Sequence, residues 1–144
     1  MVTVNIVCVG SLKEEYLRNA CSEYIKRLSR FCKFQITEVE ESSLEKEMSV
    51  ICKKSEGYII ALCVEGEMLS SETFAKKIEI EMLNNSKFTF IIGSSAGLDE
   101  RVKKSADFKL SFSKMTFPHQ LMRVFLLEQI YRAFTINNGI HYHK

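Results

Sequence analysis

Proline is almost missing from this chain: one residue, Pro118, in 144. Nor is there a low-complexity stretch or an internal repeat, so no linker divides the sequence, and its length suits one domain, 1–144. A chain of this size buries roughly 70% of the surface it would expose unfolded, and needs no staples. No apolar run approaches the roughly 20 residues of a membrane helix. The opening Met1-Val2-Thr3-Val4-Asn5-Ile6-Val7 lacks the basic flank and cleavage site of a signal peptide. A cytoplasmic protein without a membrane role is expected. The five cysteines (Cys8, Cys21, Cys32, Cys52, Cys63) contain no C-x-x-C pair, which argues against structural zinc and dithiol redox work and for reduced, mostly buried thiols. Also absent are G-x-G-x-x-G, a Walker A loop, a Ser-His-Asp arrangement and paired carboxylates. His141 and His143 stand two apart with no third ligand evident, so no metal is expected.

Charge is present but unevenly placed. Residues 1–100 hold 12 Lys/Arg against 16 Asp/Glu, whereas residues 101–144 hold 8 against 2, together with all three histidines. Clustered cations can neutralise phosphates, which hints at a polyanionic partner; a solvated basic face explains the same charge.

Hydrophobic spacing alternates strand and helix along the chain. Val2 to Val9 is a β-branched run closing on Gly10, and Lys13 to Arg30 has apolar residues at helical spacing. Phe34 to Val39 predicts a strand and Ser42 to Lys54 a helix. Tyr58 to Val64 is apolar throughout, as suits a strand covered on both faces, with Glu65-Gly66-Glu67 expected to end it. Ser70 or Ser71 can cap a helix that Asn84-Asn85 stops. Phe88 to Ile92 is a second buried strand, running into Gly93-Ser94-Ser95-Ala96-Gly97. A short helix over Glu100 to Ser105, a strand over Asp107 to Ser111 and a long helix from Pro118 to Asn137 complete the pattern, with Asn138-Gly139 as the stop. The fold class is α/β: a mainly parallel sheet flanked by helices. Ligands of such sheets bind beyond the carboxyl ends of the strands, here Leu62 to Gly66, Gly93 to Gly97 and Phe112 to Phe117.

The long last helix is apolar over most of its circumference, with Arg123, Glu128 and Arg132 as interruptions. Since a terminal helix covers one sheet face, the surplus predicts a subunit interface. Glu128 and Arg132, four apart, can pair on its surface. His119 in its first turn is a catalyst or a packing residue, and Tyr142-His143-Lys144 is a functional end or a frayed tail.

The residues Phe90-Ile91-Ile92-Gly93, Ala96-Gly97-Leu98, Leu110 through Gln120, Arg123, Leu127-Glu128-Gln129, Tyr131-Arg132-Ala133-Phe134 and Tyr142-His143-Lys144 closely resemble the bacterial large-subunit ribosomal RNA pseudouridine N3-methyltransferase family of the SPOUT class. Val7-Cys8-Val9-Gly10, Lys13, Tyr24 and Arg27 fit as well, so the likeness runs end to end. The resemblance implies a C-terminal trefoil knot, a homodimer with sites near the subunit interface, S-adenosylmethionine as cofactor, and methylation of N3 of a pseudouridine in ribosomal RNA on the assembled ribosome. It places cofactor contacts on Leu62, Gly93, Phe112, Ser113, Lys114, Met115, Thr116 and Phe117. The family usually has two adjacent glycines where this chain has Gly93-Ser94, and the Glu40 to Glu56 segment is shorter than usual.

Methyl transfer from a sulfonium is an in-line displacement, so alignment and charge stabilisation matter most, and the N3 proton must leave before or during attack. Arg132, Tyr142 and His143 are the candidate catalytic and substrate-positioning residues, with His119, Arg123 and Lys144 as RNA contacts. A non-catalytic, ribosome-associated RNA-binding module is the rival, and calorimetry with S-adenosylmethionine separates the two.

Overall fold

A computed structural model describes residues 1–142; His143 and Lys144 lie outside the described residues. In chain order the elements are β1 (Thr3–Val9), α1 (Glu15–Leu28), β2 (Lys33–Val39), α2 (Leu44–Lys54), β3 (Tyr58–Met68), α3 (Ser71–Glu81), β4 (Lys87–Ile92), α4 (Glu100–Ser105), β5 (Phe108–Ser111) and α5 (His119–Asn137). Every strand pair is parallel, in the order β2-β1-β4-β3-β5. The α/β class and the flanked parallel sheet are as the periodicity predicts.

Both sheet faces are covered, which is why β1 and β4 read as continuous apolar runs. Val4, Ile6 and Cys8 of β1 join Phe88, Phe90 and Ile92 of β4 in a core closed by α1, α3 and α5. Val7 and Val9 point the other way, into a smaller core with Val39, Ala61, Ile91 and residues of α2 and α4. The helix starts follow their caps: the Ser43 hydroxyl accepts from Lys46 N at 3.2 Å, and that of Ser70, rather than Ser71, from Thr73 N at 3.1 Å. Among the described residues, no helix is long and apolar enough to cross a membrane.

Three local expectations change. β3 does not end at Glu65–Glu67 but runs to Met68, because its register against β5 slips: Leu62 and Glu67 both pair with Leu110. The residues between them bulge out of the ladder, and a bulge bends the strand that carries it. Pro118 is the residue before the first turn of α5, with φ −55° and ψ 131°, not the first helical residue. Finally, α5 does not simply lie over one sheet face. It runs between α1 and α3 and packs on both, so most of its apolar circumference is satisfied inside the chain, leaving Phe125 as its one exposed large hydrophobic among the described residues.

Candidate functional site

The carboxyl ends of β3, β4 and β5 open into a cavity of about 560 Å³. Its walls are the β3 bulge (Leu62, Cys63, Val64, Glu65), the Ile92–Leu98 turn, and the loop from Leu110 to Pro118, with His119 and Met122 of α5 closing one side. Gly93 faces the Gly97 carbonyl so closely that a Cβ would sit inside van der Waals contact of that oxygen, and Gly97 itself has φ +85°. Ser94 is buried; its Oγ accepts from Ala96 N at 3.2 Å, and its carbonyl accepts from Gly97 N at 2.8 Å. Its hydroxyl therefore folds the turn. At Gly66 a Cβ would lie 2.7 Å from the Leu110 carbonyl carbon, so the bulge and the end of β5 pass in backbone contact.

The loop after β5 is shaped by its own serines. Ser111 Oγ donates to the Ser113 carbonyl at 3.0 Å, and Met115 N donates to Ser113 Oγ at 3.0 Å. Of the expected cofactor contacts, Leu62, Gly93, Phe112, Ser113, Met115, Thr116 and Phe117 all line the cavity; Lys114 belongs to the loop but not to the lining. The sequence reading missed Lys103, whose Nζ lies 2.6 Å from Glu65 Oε1 and 3.3 Å from Glu100 Oε1 at the cavity wall. The hydrogen bond from Lys103 holds the Glu65 carboxyl below its ordinary range. On a short helix rich in charge, nothing in the sequence marks that lysine.

A second cavity, about 280 Å³, shares Leu110, Phe112 and Phe117 with the first and is closed by Ser70, Ser71, Phe74, Phe125, Glu128 and Gln129. Phe117 meets Phe125 edge-on, with centroids 5.6 Å apart. Beyond it, Glu128 collects three donors: Tyr24 Oη at 2.8 Å and Tyr142 Oη at 2.7 Å, both to Oε1, and Arg132 Nε to Oε2. Burial, then the bond to Glu128, raises the pKa of both phenols, so they stay protonated donors.

Arg123 is elsewhere and is not a surface group. It is 3% exposed, donating from Nη1 to Glu38 Oε2 at 2.7 Å and from Nη2 to the Gly10 carbonyl at 3.3 Å, while Nε has no partner. The guanidinium expected to contact RNA is thus engaged within the fold. His119 lines both the main cavity and a polar groove formed with Gly10, Lys13 and Glu38. Expected roles for His143 and Lys144 fall on residues outside those described. Among the described residues, no group of three His, Cys, Asp or Glu is placed to hold a metal.

Residues 2–143 match the family model described as "Predicted SPOUT methyltransferase". A protein of Clostridioides difficile (strain 630), named ribosomal RNA large subunit methyltransferase H, is 46% identical over 159 residues, covering 99% of this chain and 100% of the relative. Among solved structures, a probable methylase family protein from Haemophilus influenzae Rd KW20 superposes with a TM-score of 0.59 at 9% identity, covering 98% of this chain and 70% of that one. A putative methyltransferase from Legionella pneumophila, in complex with bound SAM, gives 0.50 at 9% identity, covering 92% and 66%. At such identity the structural likenesses speak to the fold alone.

Proposed function

This chain belongs to the SPOUT methyltransferase family, and on that premise we propose that it transfers the methyl group of S-adenosylmethionine to large-subunit ribosomal RNA. The observation that carries the reading is full-length identity of 46–47% to relatives named for that activity. The finer proposal is that the acceptor is N3 of a pseudouridine, reached on the assembled ribosome by a homodimer in the cytoplasm. A trefoil knot belongs to the same reading, and membership of the SPOUT family supports it.

The cavity at the strand ends suits the cofactor. Its volume lies within the roughly 300–1,000 Å³ of small-molecule sites. Leu62, Ile92, Phe112 and Phe117 offer apolar walls for an adenine ring, and the Gly93–Gly97 turn and the Ser113–Thr116 loop offer backbone polar groups at close range. Leu62, Gly93, Phe112, Ser113, Met115, Thr116 and Phe117 are the proposed binding residues, with Lys114 at the rim. When bound, the sulfonium supplies an electrophilic methyl group, and no covalent bond to the enzyme is needed.

The protein's part is alignment. Arg132 and Tyr142 meet at Glu128, which lines the second cavity; there the guanidinium can donate to a carbonyl that flanks a ring nitrogen and favour loss of its proton, while the Tyr142 phenol, its one proton given to Glu128, offers the base a ring face and an accepting oxygen. His143 belongs to this group in the proposal, His119 approaches the acceptor from the cavity mouth, and Lys144 meets phosphate. Arg123 holds the first turns of α5, and with them the preceding loop, against the ends of β1 and β2.

Incubating the protein with labelled S-adenosylmethionine and ribosomes lacking the modification tests the reading. Label mapped to a single pseudouridine of the large-subunit RNA is expected; no transfer to RNA would sink it.

A further inference from the structure

We propose that Glu128 is a positioning residue, the anchor that sets Arg132 and Tyr142 relative to the loop forming the cofactor cavity. This rests on the assignment above of those two residues to the RNA side of the reaction. Glu128 and Arg132 by themselves would be an ordinary i,i+4 helix pair, which on an exposed helix adds little. Here the carboxylate also takes two phenols from outside α5: Tyr24 of α1, 104 positions away, and Tyr142 beyond the helix end. Three donors on two oxygens leave the carboxylate little freedom to turn. Anchoring a guanidinium through Nε fixes the plane in which its two Nη groups lie.

The surroundings reinforce that orientation. Arg132 lies over the Tyr142 ring at 5.3 Å, the Tyr142 ring meets Tyr131 edge-on at 4.8 Å, and Arg27 lies over both Tyr24 and Tyr131 at 5.5 and 5.9 Å. Glu128 thus sits among two guanidiniums and three phenols, and takes hydrogen bonds from one of the guanidiniums and two of the phenols, while Arg27 pairs with the exposed Glu23. On its other side it lines the 280 Å³ cavity with Phe112 and Phe117, residues that also line the cofactor cavity. A rigid link between donor and acceptor sites is what an in-line displacement requires, since a misplacement of 1 Å can cost on the order of 100-fold in rate.

The test uses the full-length protein with Glu128→Gln and Tyr24→Phe. Glu128→Gln keeps the volume but loses the charge that holds three donors, so kcat for methyl transfer to ribosomes should fall about 10- to 100-fold. The dissociation constant for S-adenosylmethionine should stay within about twofold, because Glu128 does not line the cofactor cavity. Tyr24→Phe removes one arm and should lower kcat less. The double variant should be no worse than Glu128→Gln alone, since both changes act through one carboxylate. A readout independent of activity is the alkaline titration of phenolate absorbance, clean in a chain with no Trp and five Tyr. Tyr24 and Tyr142 should titrate late in the unaltered protein and earlier in Glu128→Gln, with the part of the shift that burial causes remaining. If the unaltered protein and both variants transfer methyl equally well, the role of Glu128 falls and the functional reading stands. If the unaltered protein transfers none, both fall. Should Glu128→Gln fail to fold, unchanged kcat in Tyr24→Phe overturns the proposal by itself.

Discussion

Gly93 makes a definite claim at the level of one atom. A methyl group there would press on the Gly97 carbonyl oxygen, which is backbone and cannot swing aside like a flexible side chain. Gly93→Ala should therefore push the turn into the cavity and weaken S-adenosylmethionine by about tenfold or more, roughly 1.4 kcal/mol, as read by calorimetry. Unchanged affinity would mean that the turn does not contact the cofactor. Gly93 was legible in the sequence because a glycine directly after a buried strand advertises close backbone approach. Lys103 was not, since a lysine on a short charged helix looks the same whether it faces solvent or Glu65. Ser94, next to it on the cavity wall, is accommodated because its hydroxyl accepts from Ala96 N within the turn.

Among the elements, the placement of α5 depends on an ion pair whose two ends differ. Arg123 has a side chain 4% exposed, while that of Glu38 is 44% exposed. Removing the carboxylate leaves a buried cation with the Gly10 carbonyl as its remaining partner; removing the cation leaves an acid that water can reach. Glu38→Ala should therefore destabilise more, by about 2–4 kcal/mol, than Arg123→Met, at about 1–2 kcal/mol, and the double variant should recover part of the loss. Urea unfolding of the three proteins checks the order, and equal costs would contradict it. The helix itself was plain from its apolar residues, and the strands from their β-branched runs. The continuation of β3 to Met68 was not, because Glu65-Gly66-Glu67 carries every local sign of a stop. Pairing with β5 overrides those signs, and the resulting bulge is what turns Leu62 to Glu65 into a cavity wall.

For the molecule as a whole, titration of buried groups sets an alkaline limit. Burial pushes the Cys8 and Cys32 thiols up to about 11, and burial with Glu128 raises the phenols of Tyr24 and Tyr142. In the unfolded chain these groups titrate near 8.5 and 10, so the folded state holds the protons more tightly. Their contribution is complete below about pH 8.5 and is lost as the pH rises through 11. The melting temperature followed by circular dichroism should stay level from about pH 7 to 8.5 and then fall; a level profile to pH 11 would refute this. The charge asymmetry also looks different in three dimensions. Arg101, Lys103, Arg123 and Arg132, half of the eight basic residues after position 100, are paired with Asp99, Glu65, Glu38 and Glu128. Much of the apparent positive end is thus paired with carboxylates of the same chain, and the RNA reading rests on family membership more than on net charge.

The sequence by itself determined the alternation of strands and helices, the sheet covered on both faces, the three strand ends where a ligand could bind, and the family likeness. These are local matters of spacing, apolar runs and contiguous motifs. Tertiary structure alone decided that Arg123 is buried, that Lys103 reaches the cavity wall, and that Tyr24, Glu128, Arg132 and Tyr142 meet at one carboxylate. Each of those joins residues far apart in the chain, and side chains separated by tens of residues leave no periodic trace; only the packing of α1 against α5, and of α5 on the sheet, brings them within hydrogen-bond reach.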